Sequence, residues 1–263
     1  MKIVPNKNLG QNFLIDKNII DQIIDIANID EKDSILEVGP GTGALTEKII
    51  EKKPKEIIVI EKDEKLANNL KETFTEKLNV INDDMLNFSY NNFIGKKLII
   101  FGNLPYNIST QILAKWIKMK ELNKFCKKFI LMFQKEVADR IIAESNSKKY
   151  GRISILSNWR MEIEKIIDIE PRSFKPIPKV KSTLLIFVPK EKFIKFKDPK
   201  NLEHVTNIFF SQRRKMINKP LKFLFENFED VSKKLSLDLK LRPQNLNNDT
   251  YYKICKIYEK LIY

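Results

Sequence analysis

Ser34-Ile35-Leu36-Glu37-Val38-Gly39-Pro40-Gly41-Thr42-Gly43 is the stretch on which the fold turns. A short apolar run that meets Gly and Pro is a buried strand meeting a turn. The residues after it, Ala44 to Ile50, place Leu45, Ile49 and Ile50 at helical spacing. Strand, glycine loop and helix in that order form the opening unit of an open α/β sheet, which binds ligands beyond the carboxyl ends of its strands. The glycines Gly39, Gly41 and Gly43 stand at every second position, unlike the G-x-G-x-x-G spacing that holds a pyrophosphate. Glycines still let backbone approach a ligand closely, the helix start behind them attracts a carboxylate, and a buried Glu37 would orient the loop.

The same grammar repeats along the chain. Ile57 to Ile60 reads as a second strand and ends at Glu61, 22 positions beyond Gly39, where a carboxylate can accept both hydroxyls of a ribose. Asn79 to Ile81 ends at Asp83-Asp84-Met85. The Asp84 carboxylate can accept from an adenine amino group, and the Met85 backbone can donate to the ring. Leu98 to Phe101 ends at Gly102, followed by Asn103-Leu104-Pro105-Tyr106. Asn103 offers a side-chain carbonyl, and Pro105 biases Leu104 towards extended backbone and leaves its carbonyl free. Tyr106 adds an aromatic face. Two acceptors converging on one amino group beside a ring are what holds a nucleobase taken out of its stack. Four consecutive strands thus end, on one edge of the sheet, in groups suited to a nucleoside and a base amine.

Further on, Asp16 is expected to cap a helix to Ala27, Leu66 to Phe74 reads as a helix, and Ser109 is expected to cap one through Trp116 and Ile117. Phe129 to Phe133 is an apolar strand, and Lys135 to Glu144 and a segment ending at Trp159 read as helices. Met161 to Ile169 and Ser182 to Val188 close the pattern as a strand pair. The expected fold is α/β, a doubly wound, mostly parallel seven-stranded sheet whose last two strands form a hairpin. Pro189 to Lys200 is charged, carries Pro near both ends and breaks the periodicity, so it divides an α/β domain, 1–189, from a helical domain, 190–263.

A hydrophobic fraction of 43% excludes a disordered chain, and a net charge of +14 with a pI near 9.5 favours a polyanionic partner, nucleic acid first. From Lys190 onward the chain carries 17 Lys or Arg against 9 Asp or Glu, so +8 of the charge lies there. Within it Gln212-Arg213-Arg214-Lys215, with Lys222, Lys233 and Lys234, suggests a surface for phosphates. Cys126 and Cys255 form no CxxC pair and His204 is the single histidine, so a reduced, metal-free protein is expected, with no catalytic duty for His204. No run approaches the length of a membrane span, and the start Met1-Lys2-Ile3-Val4-Pro5-Asn6-Lys7 lacks the apolar core of a secretory signal, so a cytoplasmic protein is expected.

With these stretches in hand the sequence closely resembles the small-subunit ribosomal RNA adenine dimethyltransferases over nearly its whole length. The resemblance rests on Leu9-Gly10-Gln11-Asn12-Phe13-Leu14, Glu37-Val38-Gly39-Pro40-Gly41-Thr42-Gly43 and Asn103-Leu104-Pro105-Tyr106-Asn107-Ile108-Ser109-Thr110. It rests equally on Gln134-Lys135-Glu136-Val137-Ala138-Asp139-Arg140, Tyr150-Gly151-Arg152 and Gln212-Arg213-Arg214-Lys215. It implies a class I S-adenosylmethionine-dependent methyltransferase fold and that cofactor. Asn12, Leu14, Gly39, Glu61, Asp84 and Asn103 match the family's cofactor positions, with Glu37, Gly41, Gly43 and Met85 alongside them in the strand-end reading. Asn103 to Tyr106 match its target-adenine motif, and Phe174 matches an aromatic thought to close over the other face of the base. The implied product is dimethyladenosine at two adjacent adenosines near the 3′ end of small-subunit rRNA in an immature subunit, made by a monomer. Lys181 departs from the family's usual Asp before Ser182. The rivals are the related enzymes that methylate one adenosine of large-subunit rRNA, and a non-catalytic assembly factor. Leu104 and Tyr150-Gly151-Arg152 suit the small-subunit enzymes better than the first, and intact Glu61, Asp84 and Asn103 argue against the second.

Overall fold

The computed structural model describes residues 10–262; Leu9 of the first quoted motif and the stretch Met1 to Lys7 lie outside the described residues. The described chain opens with β1 (Phe13–Leu14), α1 (Lys17–Ala27), β2 (Ser34–Val38), α2 (Ala44–Glu51), β3 (Glu56–Glu61), α3 (Glu64–Phe74), β4 (Asn79–Asn82) and β5 (Leu98–Asn103). It continues with α4 (Ser109–Ile117), α5 (Leu122–Phe125), β6 (Cys126–Gln134), α6 (Lys135–Ile141), α7 (Arg152–Arg160), β7 (Met161–Ile169), β8 (Phe174–Lys175) and β9 (Ser182–Pro189). The helices α8 (Lys200–Ser211), α9 (Asn218–Leu224), α10 (Phe228–Lys234) and α11 (Asn248–Ile262) complete it.

Seven strands form one sheet in the order β4-β3-β2-β5-β6-β9-β7. Neighbours from β4 to β6 are parallel, and β9 runs antiparallel to β6 with Gln134 opposite Ser182. The inner strands β2, β3 and β5 read as nearly continuous apolar runs because both their faces are covered. One face presents Ile35, Val59, Ile99, Phe101 and Ile130 to α1, α2 and α3, through Ile20, Ile23, Ile24, Leu45, Ile49 and Leu70. On the other, the Trp116 ring of α4 stacks on Phe129 of β6 at 5.1 Å. Glu37 shares the face of Ile35, so the one charged side chain of β2 is buried against α2.

Two details of the expected layout change. β7 and β9 are neighbours in the sheet, as expected, but the link between them contains a further strand, β8, which leaves the sheet to pair with β1, placing Phe13 opposite Lys175 and Leu14 opposite Phe174. Asp16 caps α1 by accepting from Asn18 and Ile19, as expected, but Ser109 caps nothing; it is the first residue of α4 and its hydroxyl donates to the Tyr106 carbonyl.

The chain divides into two compact units, one running to Ala138 and resuming over Glu162–Pro189, the other comprising Asp139–Met161 and Lys190–Tyr263. The second unit includes α7, and the Tyr252 hydroxyl of α11 donates to the Ile155 carbonyl of α7. No described helix is long and apolar enough to cross a membrane.

Candidate active site

The carboxyl ends of β2, β3 and β5, the loop after β4 and the segment around β1 enclose an open-mouthed cleft of about 1110 Å³, counting the space at its mouth. Asn12, Leu14, Glu37, Gly39, Gly41, Glu61, Asp84, Met85, Asn103, Leu104, Pro105 and Tyr106 all line it. Two expected residues do not. Gly43 caps α2 at φ 84°, and a Cβ there would lie 2.7 Å from Phe74 and 2.9 Å from Leu70, so its glycine serves the packing of α2 on α3. Phe174 is 1% exposed and packs in the core beneath α1, with its strand partner Leu14 at the cleft wall. In a two-residue strand successive side chains point to opposite sides, and here Phe174 turns inward and Lys175 outward.

The glycine loop is held by its neighbours. The Gly39 N–H donates to the Ile60 carbonyl, and the Gly41 N–H donates to Glu61 Oε2 at 3.1 Å. A side chain at Gly41 would collide with the Phe13 ring, 2.6 Å from where its Cβ would stand, so β1 closes directly over the loop. Glu61 Oε1 accepts from the Asp63 N–H at 2.9 Å. Burial raises the Glu61 pKa against those donors. Glu37 is fully enclosed and accepts from Thr46 Oγ1 at 2.6 Å; burial pushes its pKa up to about 7, with the Glu61 charge adding to the rise. Asp84 is held below the ordinary carboxylate range, first by Lys62, whose Nζ is 2.8 Å away. Its other oxygen accepts from the Leu86 N–H, and among the described residues nothing accepts from the Met85 N–H.

Asn103 is the most constrained group on the wall. Its Nδ2 donates to the Asn12 carbonyl at 2.8 Å, and since a carbonyl can only accept, this fixes which end of the amide faces β1. Asn103 Oδ1 and the Leu104 carbonyl then receive no hydrogen bond among the described residues. The Tyr106 hydroxyl sits 2.7 Å from Ser182 Oγ at the start of β9, and burial raises its pKa, so it stays a neutral phenol.

Residues 4–261 match the family model described as ribosomal RNA adenine dimethylase. The chain belongs to the ribosomal RNA adenine dimethylase family. It is 54% identical to a ribosomal RNA small subunit methyltransferase A of Pelagibacter ubique, over 99% of both chains. Among solved structures it is similar to a dimethyladenosine transferase from Plasmodium falciparum, with a TM-score of 0.82 and 27% identity over 94% of this chain and 98% of that one. It shares its fold with the 23S rRNA methyltransferase ErmE, with a TM-score of 0.70 and 20% identity over 94% of this chain and 99% of that one.

As a family member the chain is a methyltransferase acting on adenine in ribosomal RNA, with S-adenosylmethionine as methyl donor. The residues fit that donor. Acidic side chains outnumber basic ones around the cleft, Glu37, Glu61 and Asp84 against Lys62, which suits a ligand carrying a sulfonium and an ammonium, and the free Met85 N–H beside Asp84 matches the edge of an adenine ring. The dimethylase site also uses residues that the sequence did not single out. Lys62 holds Asp84, Thr46 holds Glu37 and Ser182 holds Tyr106. Lys115 donates to the Leu86 and Phe88 carbonyls at 2.7 and 2.8 Å, pinning the loop after Asp84. No periodicity marks such partners, because each is made by tertiary approach.

The expected phosphate contacts lie in the helical unit. Arg213 is committed within it: its Nε donates to Gln244 Oε1 at 3.2 Å and its Nη2 to the Lys148 carbonyl. Arg214, Lys215 and Lys222 are exposed.

Proposed function

We propose that this dimethylase acts on two adjacent adenosines near the 3′ end of small-subunit rRNA, as the family resemblance implies, with an immature small subunit as substrate and the helical unit as a phosphate-binding platform. The observation that carries the site assignment is the locked Asn103 amide, which leaves two unpaired acceptors, Oδ1 and the Leu104 carbonyl, beside the Tyr106 ring.

S-adenosylmethionine supplies a methyl group already activated on a sulfonium, and that is the chemistry it brings to the site. Glu61 is placed for its ribose, Asp84 and the Met85 N–H for its adenine, and Gly39 and Gly41 for close backbone approach, with Asn12 and Leu14 closing the wall. The residues of the chain have to orient an amine. An adenine amino nitrogen shares its lone pair with the ring. Donating both N–H groups, to Asn103 Oδ1 and the Leu104 carbonyl, favours a pyramidal nitrogen whose lone pair is free to attack. Pro105 keeps Leu104 extended, and Tyr106 supplies the face on which the base stacks. No residue needs to remove a proton before transfer. Asp84 is ion-paired and Glu37 is bound to Thr46 beneath the loop, so Glu37 supports the site from behind. Phe174, behind Leu14, is a support of β1 in this reading.

The test is transfer of labelled methyl groups to undermethylated small subunits and, separately, to large-subunit rRNA, followed by mapping of the modified nucleotides. Two adjacent dimethyladenosines in the small subunit are expected; label confined to one large-subunit adenosine would overturn the proposal.

A further inference from the structure

Phe223 is the most exposed large apolar side chain described, at 76%, on a helix that buries Pro220 and Leu221. A lone exposed Leu or Val needs no explanation, but a bare aromatic ring has a larger face to account for. Its setting is one-sided in charge. From Gln212 to Phe225 the chain has five Lys or Arg and no Asp or Glu, and Glu226 is the first acid afterwards. Lys219 lies one helical turn from Phe223 on the same exposed side of α9, and Lys222 is held with its ammonium 4.9 Å from the centre of the Phe228 ring. The turn leading into α9 exposes Arg214, Lys215 and Met216, the last at 50%.

That turn is built to hold its shape. The Lys215 N–H donates to the Gln212 carbonyl, the Ile217 N–H to the Leu241 carbonyl, and Arg213 ties the turn to Gln244 and Lys148 from beneath. The cations above are thus presented without being spent on internal ion pairs: among the described residues Arg214, Lys215, Lys219 and Lys222 join no salt bridge.

We propose that Phe223 is a stacking platform for an unpaired nucleotide of the RNA substrate, with Arg214, Lys215, Lys219 and Lys222 holding the phosphates on either side of it. The proposal rests on the reading of the helical unit as a phosphate-binding platform and adds to it a base contact. An aromatic face set among cations is the arrangement that holds single-stranded nucleic acid, with stacking giving affinity that tolerates any base. A protein partner is disfavoured because lysine, which supplies three of the four cations, is depleted from protein–protein contacts.

The experiment compares full-length Phe223→Leu, Phe223→Trp and the double variant Arg214→Ala/Lys215→Ala by affinity for protein-free, unmethylated small-subunit rRNA and for intact unmethylated subunits. Phe223 touches little of the core, so thermal unfolding should be unchanged. Phe223→Leu, apolar but without a ring, is expected to weaken rRNA binding about tenfold or more, whereas Phe223→Trp binds as the parent does. Trp116 and Trp159 are buried, so a tryptophan at 223 is the one exposed reporter, and its emission is expected to be quenched by stacking when rRNA binds. Parent-like affinity of Phe223→Leu, absence of quenching at saturating rRNA, or quenching by subunits but not by bare rRNA would each overturn the proposal, the last in favour of a protein contact. If the double variant alone loses affinity, only the stacking contact fails. If neither set changes affinity, the RNA-binding reading of this surface fails with it.

Discussion

Replacing Asn103 by Ala tests the centre of the site, because the side chain has two separable duties. Its Nδ2 bonds the partly buried Asn12 carbonyl at 2.8 Å, and its Oδ1 is one of two acceptors for the target amine. Loss of the first duty removes one neutral hydrogen bond, about 1 kcal/mol of stability, which for a chain of this size moves Tm by roughly 2–4 °C. Loss of the second removes a preorganised dipole from the reacting nitrogen, and such groups are worth about 100- to 1000-fold in kcat, or roughly 3–4 kcal/mol of barrier. The two effects differ enough to be told apart. Rates of labelled methyl transfer to undermethylated subunits should fall by at least 100-fold at saturating RNA and cofactor, while RNA affinity and the unfolding transition stay close to the parent. Asn103→Asp should recover only part of the rate, since it keeps an acceptor but sets a carboxylate against the Asn12 carbonyl. A kcat within about threefold of the parent for Asn103→Ala would refute the reasoning, because no positioning contact of this kind costs so little to lose.

Gly43→Ala should destabilise the chain by about 2–5 kcal/mol, combining left-handed backbone strain with collision on Phe74 and Leu70, read from denaturant unfolding; an unchanged midpoint would deny the packing role. Glu37 has a folded pKa of about 7 against an ordinary 4.5, chiefly through burial, so between those values the folded chain keeps a proton that the unfolded chain has lost. Its contribution is fully present below pH 4.5 and falls by about 3 kcal/mol as pH rises to 7; Glu37→Gln should flatten that slope in urea titrations at a series of pH values, and an identical slope would show that Glu37 is not its source. Lys115→Met deprives the Leu86 and Phe88 carbonyls of their shared donor and should weaken S-adenosylmethionine binding about tenfold by calorimetry, with equal affinity counting against a positioning role.

How much of this was legible in the sequence depends on whether a feature is local. The strands ending at Val38, Glu61 and Asn103 announce themselves because both faces of a parallel sheet are buried, leaving apolar runs closed by Gly, Asn or acid. The cleft residues follow, since strand ends share an edge. β1 and β8 carry no such mark: two residues cannot show a period, and their pairing spans 160 positions between Leu14 and Phe174. That same pairing turns Phe174 into the core, which its motif did not foretell. Gly43 looked like part of a ligand loop because its spacing fits one, yet its demand comes from α3. Arg213 looked like a surface cation because it sits in a basic run, yet Gln244 and the Lys148 carbonyl claim it.

The position of β9 has a consequence for synthesis. This strand lies between β6 and β7, so β7 leaves the ribosome before the strand it needs as a neighbour. Likewise β1, the first described strand, waits for β8, and Tyr106 waits for Ser182. A nascent chain that has exposed every residue of the glycine loop and of Asn103–Tyr106 still lacks the strand that pairs with β1 and the Ser182 hydroxyl that meets Tyr106. The last two supports of the site are therefore available only once the chain has emerged past Ser182, and shorter nascent chains have the cleft's residues without them.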